Sequence, residues 1–256
     1  MKSLRFLNFA FCLLMLPAGA QVLPDSTRDS LKDLPLIEVP AEGASQSDLL
    51  AVHLTGDGGW GVTDRGLATT LAKQGIPVVG LNSLKYFWKH RTPEEASADL
   101  DRILQHYLTV WNKKRAIIIG YSFGADALPF LLTRLPEQTR RRIELVTFLG
   151  LGSQAEFEFH FGNWLGLGRH SSQPVQPEVE KLKGEKMVCF YGLEDSDALC
   201  RQLPPSLVRT FPLKTGHRIG ANFEPIAEEI LREVNRQPAL PVATKPATTM
   251  AREQNP

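Results

Sequence analysis

The sequence predicts an α/β fold with a mostly parallel central sheet and helices on both faces. Two observations predict it. Apolar runs of strand length alternate with amphipathic segments of helix length. The strand candidates are also apolar throughout, as strands covered on both faces are, with no in/out alternation.

The elements follow in order. Residues 48–54 (DLLAVHL) read as a strand, and 64–74 as a helix ended by Gly75. A second strand covers 76–81. The long helix 93–111 places Ala96, Leu100, Ile103, Leu104, Tyr107 and Leu108 at helical spacing. A strand at 116–119 and a helix at 125–135 come next, then strands at 143–149, 186–191 and 207–211. A helix over 222–235 closes the series. Ser153–Lys183 breaks the rhythm, being rich in glycine, proline and aromatics. Within it Phe157, Phe159 and Phe161 alternate with Glu156, Glu158 and His160, as in a short strand with one apolar face. A connection this long is either a lid or binding element, or an edge hairpin packed on the core. Residues 237–256, rich in proline, alanine and threonine, read as a disordered tail. No internal repeat is seen.

The N-terminus has the parts of a secretory signal. Lys2 and Arg5 precede an apolar run from Leu7 to Leu16, and Ala18-Gly19-Ala20 forms a cleavage site. Residues 1–20 are therefore expected to be removed, leaving a single domain over 21–236 and the tail. The alternative, an uncleaved anchor, is disfavoured by the short apolar run. Phe11 before Cys12 argues against a lipoprotein site. Removing residues 1–20 removes two basic residues and no acidic one, so the chain's +1 becomes −1. That balance disfavours a nucleic-acid partner. Cys189 and Cys200 remain. In an exported chain an even pair reads as a disulfide, with two buried thiols as the alternative.

The chemistry centres on Gly120-Tyr121-Ser122-Phe123-Gly124, set between a strand and a helix. That is the context of a nucleophile elbow, which holds a serine on a strained turn at the sheet's carboxyl edge. A serine hydroxyl needs a base. His217, in Lys214-Thr215-Gly216-His217, lies after the last strand and alone follows the acid candidates, as the order Ser…acid…His demands. His53, His90, His106, His160 and His170 read as structural or surface residues. The acid should follow the 186–191 strand. Asp195 has the usual position, with Glu194 and Asp197 as rivals. The oxyanion donors should be the N–H of Phe123 and one from Asp57 or Gly58 in the loop Thr55-Gly56-Asp57-Gly58-Gly59-Trp60-Gly61. That loop lacks a P-loop lysine and does not match G-x-G-x-x-G, and no histidine pair has metal-ligand spacing. The sequence thus calls for no metal and no cofactor.

Five segments carry a family resemblance: LTGDGGWG (54–61), YFWKHRTPEE (86–95), IIIGYSFGADALPF (117–130), YGLEDSDALC (191–200) and KTGHRIGANF (214–223). On these the chain resembles the VirJ family of exported bacterial α/β-hydrolases, which includes the VirJ-like domain of AcvB proteins. The AcvB proteins carry an additional N-terminal domain. The resemblance implies an α/β-hydrolase fold, with the insertion after the sixth strand. It implies a periplasmic serine hydrolase acting on aminoacylated phosphatidylglycerol, notably lysyl-phosphatidylglycerol, at the membrane surface. It also implies a link to type IV secretion components. Ser122 would be the nucleophile, His217 the base, and an acid within 194–197 the third member. A cationic substrate head would want carboxylates, and the candidates are Asp57, the unused member of 194–197, and Asp126, one helical turn after Ser122. The alternative for Asp126 is an ion pair with a nearby Lys or Arg. Trp60, with Tyr86, Phe87, Trp88 and Trp164, would form an aromatic rim at the membrane interface or simply pack. Two other readings stand beside this one: a general periplasmic esterase or lipase, and a non-catalytic accessory protein of secretion.

Overall fold

The computed structural model describes residues 31–43, 47–158 and 172–236. Its strands are β1 (Leu36–Val39), β2 (Leu49–Leu54), β3 (Val78–Leu81), β4 (Arg115–Tyr121), β5 (Ile143–Leu149), β6 (Gln154–Ala155), β7 (Gln173–Pro174), β8 (Met187–Gly192) and β9 (Arg209–Leu213). Seven of them form one sheet in the order β1-β3-β2-β4-β5-β8-β9, and β6 and β7 pair separately. Every neighbour in the main sheet is parallel except β1, which runs antiparallel to β3.

The helices are α1 (Val62–Lys73), α2 (Ser83–Tyr86), α3 (Pro93–Val110), α4 (Phe123–Leu132), α5 (Glu137–Arg140), α6 (Gln176–Lys181) and α7 (Glu224–Asn235). All six residues of β2 are buried, as are the five central residues of β4, which explains their unbroken apolar sequence. One core lies under α3 and α4 and contains Leu50, Val52, Leu100, Ile103, Leu104, Ile118 and Leu128. The other lies under α1 and α7 and contains Ala51, Leu67, Leu71, Ile117, Ile119, Ile226 and Ile230. Successive residues of β2 and β4 thus point into opposite cores. Helix α3 begins with a reciprocal cap. Glu95 N–H donates to Thr92 Oγ1, and Thr92 N–H donates to the Glu95 carboxylate.

The strand order reverses around β2. From β2 the chain moves to β3 on one side, then crosses to β4 on the other. The carboxyl ends of β2 and β4 flank this switch point, where open α/β sheets place their sites. The Thr55–Gly61 loop and Ser122 leave the sheet there.

Strand β1 was not expected from the sequence. Its four residues are half-buried or exposed and too few to show a period. The insertion after the sixth strand of the hydrolase fold comes after the fifth strand in this chain's own count, because a single antiparallel strand precedes β2 and β3 in the described sheet. Its base is the antiparallel β6–β7 pair. Phe157 is buried outside any strand, its ring 5.3 Å from Phe130 and 6.1 Å from Phe87. Phe159, His160, Phe161, Trp164 and His170 lie outside the described residues, as do the expected signal segment and tail.

Cys189 on β8 and Cys200 form a disulfide, with Cα atoms 6.1 Å apart and both residues buried. A structural disulfide suggests an oxidising compartment. Among the described residues no helix is long and apolar enough to cross a membrane. The bridge closes a loop of sequence separation 11, which the chain-entropy argument values at about 3 kcal/mol. Urea unfolding of oxidised and reduced protein should show a loss of that size. Thiol reagents should label neither Cys189 nor Cys200 in unreduced, denatured protein.

Candidate active site

Strand β4 delivers Ser122 at the carboxyl edge, and the turn into α4 is tight. Ser122 has φ 50° and ψ −122°, a positive φ rare for a residue with a side chain. The turn is held on both sides. Ser122 N–H donates to Leu149 O at 2.8 Å, and the N–H groups of Ala125 and Asp126 donate to Ser122 O. Glycine is required at both flanks. A Cβ at Gly120 would lie 2.6 Å from Ala125 Cα, and one at Gly124 would lie 2.4 Å from Leu54 O. The sharp turn therefore depends on close backbone contact with β2 and with its own helix.

Ser122 Oγ lies 2.8 Å from His217 Nε2. His217 Nδ1 lies 2.8 Å from Asp195 Oδ2. The triad geometry thus brings together residues 95 and 22 positions apart in the chain. Asp195 is buried while the His217 side chain is 46 % exposed, so the acid is fixed and the base faces the entrance. Asp195 Oδ1 also accepts from Asp197 N–H at 3.2 Å. Glu194 and Asp197 are exposed. With Nδ1 facing a carboxylate, Nε2 is left to accept the serine proton.

The loop after β2 lies beside the nucleophile. A Cβ at Gly56 would be 3.4 Å from Ser122 Cβ. The next residues, Asp57 and Gly58, are exposed at the lip of the site. Thr55 Oγ1 braces the loop by accepting from Ser83 N–H and donating to Gly56 O. A second brace comes from a buried pair. His53 Nε2 meets Asp64 Oδ1 at 2.8 Å, and Asp64 Oδ2 accepts from Gly61 N–H at 2.9 Å. Phe123 is half-buried, and its ring packs 5.1 Å from Phe87. Its backbone begins α4, whose amino end favours a developing negative charge.

Asp126 behaves unlike the ion-paired alternative. Its Oδ1 accepts from Gly152 N–H at 2.6 Å, and no Lys or Arg among the described residues pairs with it. Burial pushes its carboxyl up to about 8, only partly opposed by the Gly152 bond, and the negative charges of Asp197, Asp195 and Asp57 push the same way. Gly152 is the meeting point. A Cβ there would be 3.2 Å from Asp126 Oδ1 and 3.2 Å from Asp197 Oδ2. Asp197 Oδ1 in turn accepts from Ser153 Oγ. Two carboxylates, Asp126 and Asp197, therefore converge beside the triad.

The raised Asp126 carboxyl has a stability consequence. The unfolded chain ionises this group near 3.8, while the folded chain holds the proton to about 8. Its contribution is full below the lower value and lost as pH rises through the higher one. Asp126→Asn keeps the acceptor for Gly152 without the charge. Relative to wild type, it should gain roughly 1–3 kcal/mol between about pH 3 and about pH 8, partial exposure keeping the figure below full linkage. Denaturant unfolding at the two pH values measures this. A constant difference would remove the raised carboxyl.

The aromatic residues divide. Tyr86 and Phe87 are buried in the core, so they form no rim. The Trp60 indole covers Gly80, where a Cβ would be 2.3 Å from its ring, and meets His53 edge-on at 6.0 Å. Its ring is used in packing, which corrects its place among substrate-binding residues. Trp88 is 57 % exposed. Asp126 and the spare carboxylate of 194–197, both candidates from the sequence, do lie together, while their meeting point at Gly152 has no signal in local spacing. The His53–Asp64 pair had one, a histidine in the middle of an all-apolar strand.

The family described as bacterial virulence protein (VirJ) matches residues 48–238. No significant match is found among curated proteins. Among solved structures the chain is similar to Est1E from Butyrivibrio proteoclasticus, at 12% identity and TM-score 0.58, covering 78% of this chain and 94% of that one. It is also similar to the esterase domain of a Rhodothermus marinus protein, at 13% identity and TM-score 0.54, covering 78% and 93%. A third is an alpha-beta serine hydrolase homologue from Coxiella burnetii, at 12% identity and TM-score 0.50, covering 77% and 89%. At these identities the likeness establishes the α/β-hydrolase fold. With the family matched from the start of β2 to beyond the last helix, the chain belongs to the VirJ family.

Proposed function

We propose that this protein is an exported, periplasmic serine hydrolase that removes the aminoacyl group from aminoacylated phosphatidylglycerol, lysyl-phosphatidylglycerol being the reference substrate. Residues 1–20 act as its signal peptide. Ser122 Oγ attacks the aminoacyl ester carbonyl as His217 Nε2 takes its proton. The oxyanion is held by the N–H of Phe123 and by the loop at Asp57 and Gly58. The C–O bond to the lipid glycerol breaks, and His217 returns the proton to the leaving hydroxyl. Water, deprotonated by His217, then cleaves the acyl-enzyme and frees the amino acid.

The observation that carries the substrate is the cluster around Gly152. Asp126 and Asp197 converge there beside the triad, and Asp126 has no cationic partner among the described residues. An ester of an uncharged acid offers nothing to such a cluster. An aminoacyl ester brings an ammonium group next to the carbonyl under attack, and lysyl brings a second. That charge would ionise Asp126 on binding, at the cost of one proton released.

The test is a substrate panel. The protein should release free lysine or alanine from the corresponding aminoacyl-phosphatidylglycerols and no fatty acid from unmodified phosphatidylglycerol. Asp126→Asn should raise KM for the lysyl lipid by roughly 10- to 100-fold, the worth of a charge-assisted hydrogen bond. A neutral nitrophenyl ester should change by no more than about threefold. Fatty-acid release with no amino-acid release would replace this reading with a lipase.

A further inference from the structure

A second feature lies apart from the triad. Residues 84–91 and the segment before β1 enclose a cavity of about 470 Å³, lined by Asp33, Pro35, Lys85, Trp88, Lys89 and Arg91 among others. Its charge is one-sided. Asp33 is held by Arg102 through two hydrogen bonds. No carboxylate among the described residues forms an ion pair with Lys85, Lys89 or Arg91. The Arg91 guanidinium lies 4.9 Å over the Tyr86 ring, and its buried Nε has no hydrogen-bond partner. Nearby Glu94 is taken by Arg134 and Glu95 by the Thr92 cap. Lys85, Trp88 and Lys89 are exposed, with a large apolar ring between two ammonium groups.

That pattern is the one a protein presents to an anionic membrane. Lysines meet lipid phosphates, and tryptophan settles at headgroup depth. Position fits as well. Helix α2 follows the carboxyl end of β3, and only β2 separates β3 from β4. Strand spacing puts the ends of β3 and β4 about 10 Å apart on one sheet edge. The braces run between them, from Ser83 to Thr55 and from Phe87 to Phe123.

We infer that the cavity and its rim are a membrane-docking site, in which Lys85, Lys89 and Arg91 hold the phosphate of an anionic glycerophospholipid while Trp88 enters the interface. The site is separate from the ester chemistry and stands whether or not an aminoacyl group is the substrate.

Co-sedimentation with vesicles tests it, using protein recovered from the exported fraction. One vesicle is phosphatidylcholine alone and the other also contains phosphatidylglycerol. Binding should require the anionic lipid. Lys85→Gln and Lys89→Gln should each weaken it by about fivefold, the worth of one lysine at a charged surface. Brominated lipid should quench tryptophan emission in wild type and much less in Trp88→Phe. All variants are exposed substitutions and should keep the wild-type melting temperature. Hydrolysis of a soluble ester should be unchanged, and Ser122→Ala should bind vesicles as wild type does, which separates this result from the fate of the hydrolase reading. Equal binding to both vesicles, or wild-type binding by the double lysine variant, overturns the inference. Calorimetric binding of glycerol phosphate without vesicles, lost in the lysine variant, would assign the cavity to a free phosphate and overturn it too.

Discussion

Ser122→Ala should lower kcat for ester hydrolysis by on the order of 10⁵- to 10⁶-fold. The size follows from geometry. Ser122 Oγ is bonded to His217 Nε2 at 2.8 Å, and the strained φ of 50° holds that oxygen clear of the turn. Alanine accepts the same backbone strain as serine, and the backbone bonds to Leu149, Ala125 and Asp126 do not use the side chain. The fold should therefore survive with its melting temperature within a few degrees of wild type. His217→Ala should cost a similar factor, and the double variant little more than either alone, because the two groups act as one unit. Steady-state kinetics on a nitrophenyl ester measure the loss. A fluorophosphonate should add its mass to wild type and not to Ser122→Ala. Activity within about tenfold of wild type would remove Ser122 as the nucleophile.

The sequence revealed most where burial leaves a one-dimensional trace. Strands β2, β4 and β5 are buried in long runs and were readable as apolar runs, and the 143–149 strand has the expected bounds. The buried face of α3 is the set read from helical spacing, with Ser97 and Asp99 added. Boundaries slipped at α4, expected at 125–135 and observed at Phe123–Leu132. The elbow starts the helix immediately after Ser122, so Phe123 and Gly124 belong to it. Strand β1 left no trace because an edge strand of four half-exposed residues has no unbroken apolar run.

The site was legible in its order and obscure in its convergence. A glycine-bracketed serine between a strand and a helix, and a histidine after the last strand, are chain-order signals. Asp126 and Asp197 meet at Gly152 only because β4, β5 and β8 are neighbours and deliver their following loops to one edge. No spacing in the sequence encodes that meeting. Trp60 illustrates the opposite error. Its place in the glycine loop suggested an exposed rim, but β3 has a glycine at position 80, and the indole fills that space.

Asp195→Asn should lower kcat by about 10⁴-fold, with Glu194→Gln and Asp197→Asn each within about threefold of wild type on a neutral ester. Three carboxylates within four residues differ little in sequence and clearly in placement. The turn after β8 buries Asp195, whose N–H donates to Gly192 O, and aims Oδ2 at His217 Nδ1. Gly192 permits this, since a Cβ there would lie 2.1 Å from Gly216 O in the histidine loop. Asparagine at 195 would keep the shape but can turn its amide N–H₂ toward Nδ1. The imidazole then carries its proton on Nε2, facing Ser122, and cannot accept another. Asp197 is exposed and bonded to Ser153, so its loss leaves the imidazole in place. Its removal should instead relieve repulsion on Asp126 and lower that carboxyl from about 8, toward the ionised form that an ammonium head favours. Asp197→Asn should accordingly shift the pH dependence of KM for lysyl-phosphatidylglycerol to lower pH while leaving kcat on the neutral ester unchanged. The reverse pattern, a large kcat loss at 197 and a small one at 195, would reassign the triad acid.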